Sequence, residues 1–213
     1  MFRALAFAAV ALLGGCKSKP AKQLDLDAIR VTGDARLRTD KVGDGQFASQ
    51  TTFVLVDAEN VAKEGAHVTL GGDLTSSTGE VLGHLKPQSL WIPGGEKRTF
   101  ALVENERLAR PESTSARIVV KGALLSDEPP RARITDLHVF DDYGKVVVQA
   151  NLVNDADRIG QIMVIAAFHD PGGRPMTRPF QMIAIDKGQT RPVQFVGPPG
   201  SKTGTIFVGD VIY

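Results

Sequence analysis

The chain has 213 residues, with 25 Lys and Arg against 24 Asp and Glu, a formal net charge of +1. That balance sets up no net field to attract nucleic acid, and no basic stripe stands out. The single cysteine rules out an internal disulfide, and 22 Gly with 12 Pro spread along the chain argue for many turns rather than long helices.

The chain opens with Met1-Phe2-Arg3, a short start with one positive charge. Residues 4–13 (ALAFAAVALL) follow without a polar side chain. That run is too short for the roughly 20 residues of a spanning helix. A charged start, a short apolar run and small residues at the exit form the pattern of a secretory signal. Its end, Leu13-Gly14-Gly15-Cys16, resembles the lipobox of bacterial lipoproteins. The resemblance implies that residues 1–15 are a signal peptide and that Cys16 is the lipidated first residue of the mature protein. It further implies three acyl chains, whereas one chain alone anchors only marginally. Residue 17 is Lys rather than the Asp that marks inner-membrane retention. For a Gram-negative source this implies the outer membrane, and otherwise the inner or cell membrane. Residues 16–24 then read as the lipidated cysteine plus a polar tether containing Pro20, with Lys17, Lys19 and Lys22 solvated or leaning on anionic headgroups.

From there the pattern is strand and turn. Strands are expected at residues 50–57 (QTTFVLVD), 66–70, on either side of the Ser76-Ser77-Thr78-Gly79 turn, at 90–92 before Pro93-Gly94-Gly95, at 98–103 and at 117–120. One helix is expected, over residues 104–109, stopped by Pro111. Ser126 to Pro130 (SDEPP) cannot lie inside a sheet, so residues 126–132 read as a linker. The pattern then resumes, with strands expected at 134–140, 145–153, 161–168, 180–185, 191–196 and 205–208. The whole reads as all-β: two tandem immunoglobulin-like β-sandwiches, at residues 25–125 and 133–213, after the signal peptide and short tether.

The two halves match each other. Gly79 and Gly172, Ile92 and Ile185, and Gly95 and Gly188 are each 93 residues apart, and Asn60 and Asn154 are 94 apart. Self-similarity at a fixed period marks a repeated structural unit. In the second half, Asn151-Leu-Val-Asn154, Ile162 to Gly172 (IMVIAAFHDPG) and Ile185-Asp-Lys-Gly188 resemble FxLYD-type and related immunoglobulin-like domains of bacterial envelope proteins. In that pattern an Asn ends one strand and an aromatic-x-Asp-x-x-Gly turn ends the next. Phe168 stands at the tyrosine place, His169 separates it from Asp170, and the full Phe-x-Leu-Tyr-Asp string is absent. The resemblance implies a fold and only faintly a role.

Candidate chemistry is sparse. His67, His84, His138 and His169 show no metal-pair spacing, and no His-Glu-x-x-His motif occurs. His138 is expected to face solvent from a strand, and His169 to sit in a turn without a role. Asn154, Asp155 and Asp157, and Asp141 with Asp142, offer calcium-type oxygens but are also what tight turns use. Ser76 and Ser77 lack a Gly-x-Ser-x-Gly setting, and Pro93-Gly94-Gly95 and Pro171 to Arg174 (PGGR) lack the Gly-Lys-Ser/Thr of a phosphate loop. Trp91 is expected in the core or half-buried, and Tyr213 at the end of the last strand. Residues 161–168 are apolar on both faces, so that strand should be covered on both sides, with Val164 and Phe168 buried and Gly172 turning through positive φ. No cofactor, metal or catalytic residue can be named. The expected function is a lipid-anchored cell-envelope binding or scaffolding protein. It would work through protein contacts, with the membrane and an envelope protein as partners. The alternative is a small-ligand or metal binder, or an enzyme, with a site between the two domains.

Overall fold

The computed structural model describes residues 22–43, 45–126 and 130–212. Cys16, the signal peptide, most of the tether, residues 127–129 of the expected linker and Tyr213 lie outside the described residues.

The described chain is antiparallel β throughout, apart from two single 3-10 turns at Leu26–Ala28 and Gly45–Phe47. The first six strands are β1 (Ile29–Val42), β2 (Ser49–Asn60), β3 (Ala66–Thr75), β4 (Val81–Ile92), β5 (Lys97–Val103) and β6 (Ser115–Leu125). They form two sheets, ordered β1-β2-β5 and β4-β3-β6. Val54, Val56, Phe100 and Leu102 from one sheet meet Val68, Leu70, Leu90 and Ile92 from the other in a common core. Period-two alternation along β2 puts these apolar residues on one face.

The second set is β7 (Ala132–Asp142), β8 (Lys145–Asn154), β9 (Gly160–His169), β10 (Pro175–Thr177), β11 (Phe180–Ile185), β12 (Thr190–Val196) and β13 (Thr203–Ile212). One sheet is β12-β8-β7; in the other, β9 pairs with β10 and β11 on one side and β13 on the other. Val148, Ala150 and Leu152 face Ile162, Val164, Ala166 and Phe168 across the second core. Strand for strand this is the connectivity of the first set, with β10 and β11 together in the place of β4. The protein is thus two antiparallel β-sandwiches of one topology.

The repeat is held by the same bonds in both halves. Asn60 Nδ2 donates to the carbonyls of Glu64 (2.8 Å) and Ile92 (3.1 Å), and its Oδ1 accepts from Ala62 N–H. Asn154 Nδ2 donates to Arg158 (3.0 Å) and Ile185 (3.1 Å) carbonyls, and its Oδ1 accepts from Ala156 N–H. Both asparagines are fully buried, so each side chain replaces backbone partners that the strand ends would otherwise lack. Asn154→Ala is expected to cost about 1–3 kcal/mol, as is Asn60→Ala, because buried carbonyls lose their donors. Thermal or urea unfolding of the two variants would check this; a change within error at either position would count against it.

Several expectations need correction. Gly173, not Gly172, takes positive φ (+77°), with Gly79 (+84°) as its counterpart 94 residues earlier. Asp170 Oδ1 accepts from Gly172 and Arg174 N–H, just as Ser76 Oγ accepts from Thr78 and Glu80 N–H. The repeat therefore keeps the 94-residue offset of the asparagines as far as this turn.

Residues 104–109 are not a helix. Glu104 is 1 % exposed, and its Oε2 accepts the N–H groups of Glu106 and Leu108, the second of which a helix would have given to the Glu104 carbonyl. Arg110 pairs with Glu104 Oε1 at 2.8 Å, and Arg107 sits at φ +58°. Burial pushes the Glu104 carboxyl up, but the Leu108 N–H and the Arg110 guanidinium outweigh it and hold the group below its ordinary value. β4 runs from Val81 although it contains Pro87. It is an edge strand with a register shift opposite Leu70 and Gly72, where a missing N–H does no harm.

Candidate functional site: the seam between the sandwiches

β9 alternates between two environments. Ile162, Val164, Ala166 and Phe168 fill the second core. Met163, Ile165 and Ala167, with Phe207 of β13, pack instead into the core cluster of the first sandwich. The strand that is apolar on both faces is thus covered on both sides, and Val164 and Phe168 are buried.

His169 continues the outward row and overturns its sequence reading. It is not a free turn residue: it ends β9, pairs in register with Pro175 and Thr203, and is buried. Its Nε2 lies 2.9 Å from Asp57 Oδ2, with side-chain exposures of 6 % and 3 %. Thr99 Oγ1 donates to Asp57 Oδ1 at 2.5 Å, and Lys97 Nζ sits 3.1 Å from Oδ2. Burial pushes the Asp57 carboxyl up; the bonds from His169 and Thr99 and the charges of His169 and Lys97 outweigh it and hold it below the ordinary carboxylate value. Around this cluster Arg178 Nε donates to Thr99 O at 2.7 Å, and Arg38 Nη1 donates to Met176 O at 2.9 Å. A histidine and an aspartate beside a hydroxyl invite a nucleophilic reading. The geometry runs the other way: the Thr99 hydroxyl gives its proton to Asp57, and all three groups are closed off. What the arrangement does is lock β2 and β5 to β9.

Beside the lock a groove of about 540 Å³ opens between the sandwiches. Trp91, Ile134, Leu137, Ile206 and Phe207 give it apolar walls, and Glu96, Arg98 and Arg133 give it charge. Trp91 is half-buried, as expected from the sequence, and its ring lies where a Cβ at Gly65 would stand 2.3 Å away. Arg98 Nη2 pairs with Glu96 at 2.7 Å, and its guanidinium carbon lies 5.1 Å from the Phe207 ring centre. Arg133 pairs with Asp155.

The other singled-out residues lie apart. His138 is exposed on the outer face of β7, beside Asp136, Gln149, Asn151 and Gln194. His84 Nδ1 lies 2.9 Å from Asp73 on an exposed strand, and the His67 ring is 5.1 Å from Trp91. Asn154 serves the repeat bonds and Asp155 the pair with Arg133, while Asp141 Oδ1 accepts from Gly144 N–H in a hairpin turn. Among the described residues, no group of three or more His, Cys, Asp or Glu side chains converges to hold a metal ion. The lock was missed because Asp57 and His169 are 112 positions apart, Asp57 closes the strand expected at 50–57, and His169 stands beside the turn formers Asp170 and Pro171.

Fold and seam define a class: a protein of two equivalent β-sandwiches joined through a buried polar lock. Comparison with protein-family models finds no match, and neither does comparison with curated proteins. Solved structures give weak likenesses. A β-glucuronidase from glycoside hydrolase family 2 is 12 % identical over 75 % of this chain and 21 % of its own, with a TM-score of 0.25. The N-terminal CBM22-1-CBM22-2 tandem domain of Paenibacillus barcinonensis Xyn10C is 7 % identical over 91 % of both chains, with a TM-score of 0.14. The chain spans about a fifth of the glucuronidase, and likenesses of this size carry no argument about function.

Proposed function

We propose that the protein is a lipid-anchored cell-envelope binding or scaffolding module, without catalytic activity. Cys16 carries the anchor, in the outer membrane if the source is Gram-negative, and the two sandwiches are immunoglobulin-like. The carrying observation is the outer face of the β12-β8-β7 sheet. There Phe140, Val147 and Val196 pair across the strands in one apolar row, with Phe140 and Val196 well exposed. Tyr143 stands fully exposed in the adjoining hairpin turn. Aromatic side chains in an otherwise polar surface are characteristic of protein contacts. The equivalent face of the first sandwich, on β2 and β5, is the one already used against β9. Asp57, His169 and Lys97 of the seam are occupied with one another, which supports a non-catalytic role.

One experiment tests both parts. Cells expressing wild type, Cys16→Ser or Phe140→Ser are fed labelled palmitate, and the envelopes are crosslinked before capture. Cys16→Ser should lose the label. Phe140→Ser should keep the label and lose crosslinked partners. Equal labelling of Cys16→Ser would sink the anchor, and an unchanged capture with Phe140→Ser would sink the face.

A further inference from the structure

The outer edge of β11 is unprotected. The strand pairs with β9 on one side, and among the described residues no strand pairs with it on the other. An open edge invites another chain, and folded proteins blunt such edges with charge, proline or bulges. Pro87 does this on β4, Lys121 on β6, a register shift on β7 and Pro192 on β12. β11 (FQMIAI) has no charge, no proline and no register shift. By the offset of Ile92 and Ile185, Phe180 and Met182 stand where the first sandwich has Pro87 and Ser89. The repeat thus carries a blunted edge in the first sandwich and an open one at the same place in the second.

The phase of the strand says which backbone groups are free. Ala166 N–H donates to Pro179 O at 2.9 Å, in the register that pairs Gln181 with Val164 and Ile183 with Ile162. Antiparallel strands alternate between bonded and non-bonded pairs, so Gln181, Ile183 and Ile185 spend their backbone groups on β9. Phe180, Met182 and Ala184 point theirs outward. These residues are exposed as well, Phe180 by 56 % and Met182 by 41 %. The stripe continues an interface that the molecule already uses. Phe180 lies beside Ile165 and Met182 beside Met163, and both of those residues pack into the first core.

We propose that β11 is a self-association edge: two copies of the chain pair their β11 strands antiparallel about a two-fold axis at Met182. Across a new ladder, a residue with free backbone groups has to meet another such residue. In this register Phe180 faces Ala184 of the second copy and Met182 faces its own counterpart, so all the outward groups of both strands are used. The contact uses the same patch on each copy and closes on itself, so it gives a dimer rather than a fibre. Phe180 and Met182 are of the residue types that interface centres favour. The pairing is independent of the anchored-scaffold reading, since neither Cys16 nor Phe140 takes part.

The intact protein is purified in detergent as cells make it. Its sedimentation is followed against concentration in buffer matched to the detergent density, alongside amide hydrogen exchange. Mass should rise from one chain to two. Over the same range, exchange at the Met182 and Ala184 amides should slow by about tenfold or more, while Gln181 and Ile183, already bonded to β9, should change little. Met182→Lys sets like charges opposite each other at the axis and should stay a single chain throughout. A single chain at every concentration for wild type would overturn the proposal, as would a dimer whose Met182 amide stays unprotected. Protection that is independent of concentration, in a single chain, would assign the edge to another occupant and overturn self-pairing. So would a Met182→Lys protein that dimerises as wild type does. The exchange comparison on wild type needs no variant, so a variant that fails to fold leaves the test standing.

Discussion

Phe168→Ala is expected to lower the stability of the protein by about 3–5 kcal/mol, toward the top of that range for a core aromatic. Its ring is fully buried at the end of β9. Two glycines lie against it: a Cβ at Gly197 would come within 2.6 Å of the ring, and one at Gly204 within 2.8 Å. The slot is therefore walled partly by backbone, which cannot collapse into the space as side chains can. The cost of a cavity rises with how little the site relaxes. A loss of this size is a large share of the 5–15 kcal/mol that holds a typical domain together. Urea unfolding should show a lower midpoint with an unchanged slope. A loss below about 1.5 kcal/mol would mean that the slot closes after all.

How far the sequence reveals the molecule depends on what each residue answers to. β9 was legible because both of its faces are apolar, and only a strand covered on both sides can carry that pattern. The asparagines were legible as a repeat because Asn60 and Asn154 do the same local job with the same partners. β1 was not legible. It is an edge strand, its register shifts between Thr32 and Arg36, and Gly33-Asp34 inside that shift looks like a turn. Arg36 and Arg38 hide its alternation with Ala35 and Leu37, which pack against the first core. The helix expected over 104–109 failed because the buried Glu104 carboxylate took the Leu108 N–H that its first backbone bond needed. The seam was hidden for a deeper reason. Asp57 of the first sandwich and Asn151 of the second occupy equivalent places, 94 apart, and nothing local says which of the two faces is covered. The structure answers that Asp57 is buried against His169, while Asn151 lies on the outer face with Asp136 and Gln149. Contacts between units are written in pairs of distant residues, and one sequence read along its length does not pair them.

The lock between those distant residues should be the most pH-sensitive part of the seam. Asp57→Ala leaves the buried His169 ring and Thr99 hydroxyl without their acceptor, a loss of about 1–3 kcal/mol for each group left unpaired. His169→Ala should cost less, because Asp57 keeps Thr99 and Lys97. The two variants share one network, so the double variant should cost less than the two single losses added together. The sign of the pH effect follows from Asp57 itself. Its carboxyl titrates below the ordinary value in the folded protein, since His169, Thr99 and Lys97 outweigh the effect of burial. The unfolded state therefore takes up the proton first as pH falls. The contribution is fully present above the unfolded carboxyl value of about 3.9 and is lost as pH drops through the lower, folded value. Asp57→Asn removes that titration while keeping the shape of the side chain. Its stability should fall less steeply than that of wild type below about pH 4, with a roughly constant offset between the two at neutral pH. Urea midpoints measured on both proteins from neutral pH into acid decide it. Parallel curves through the acid range would show that the Asp57 carboxylate does not hold the sandwiches together.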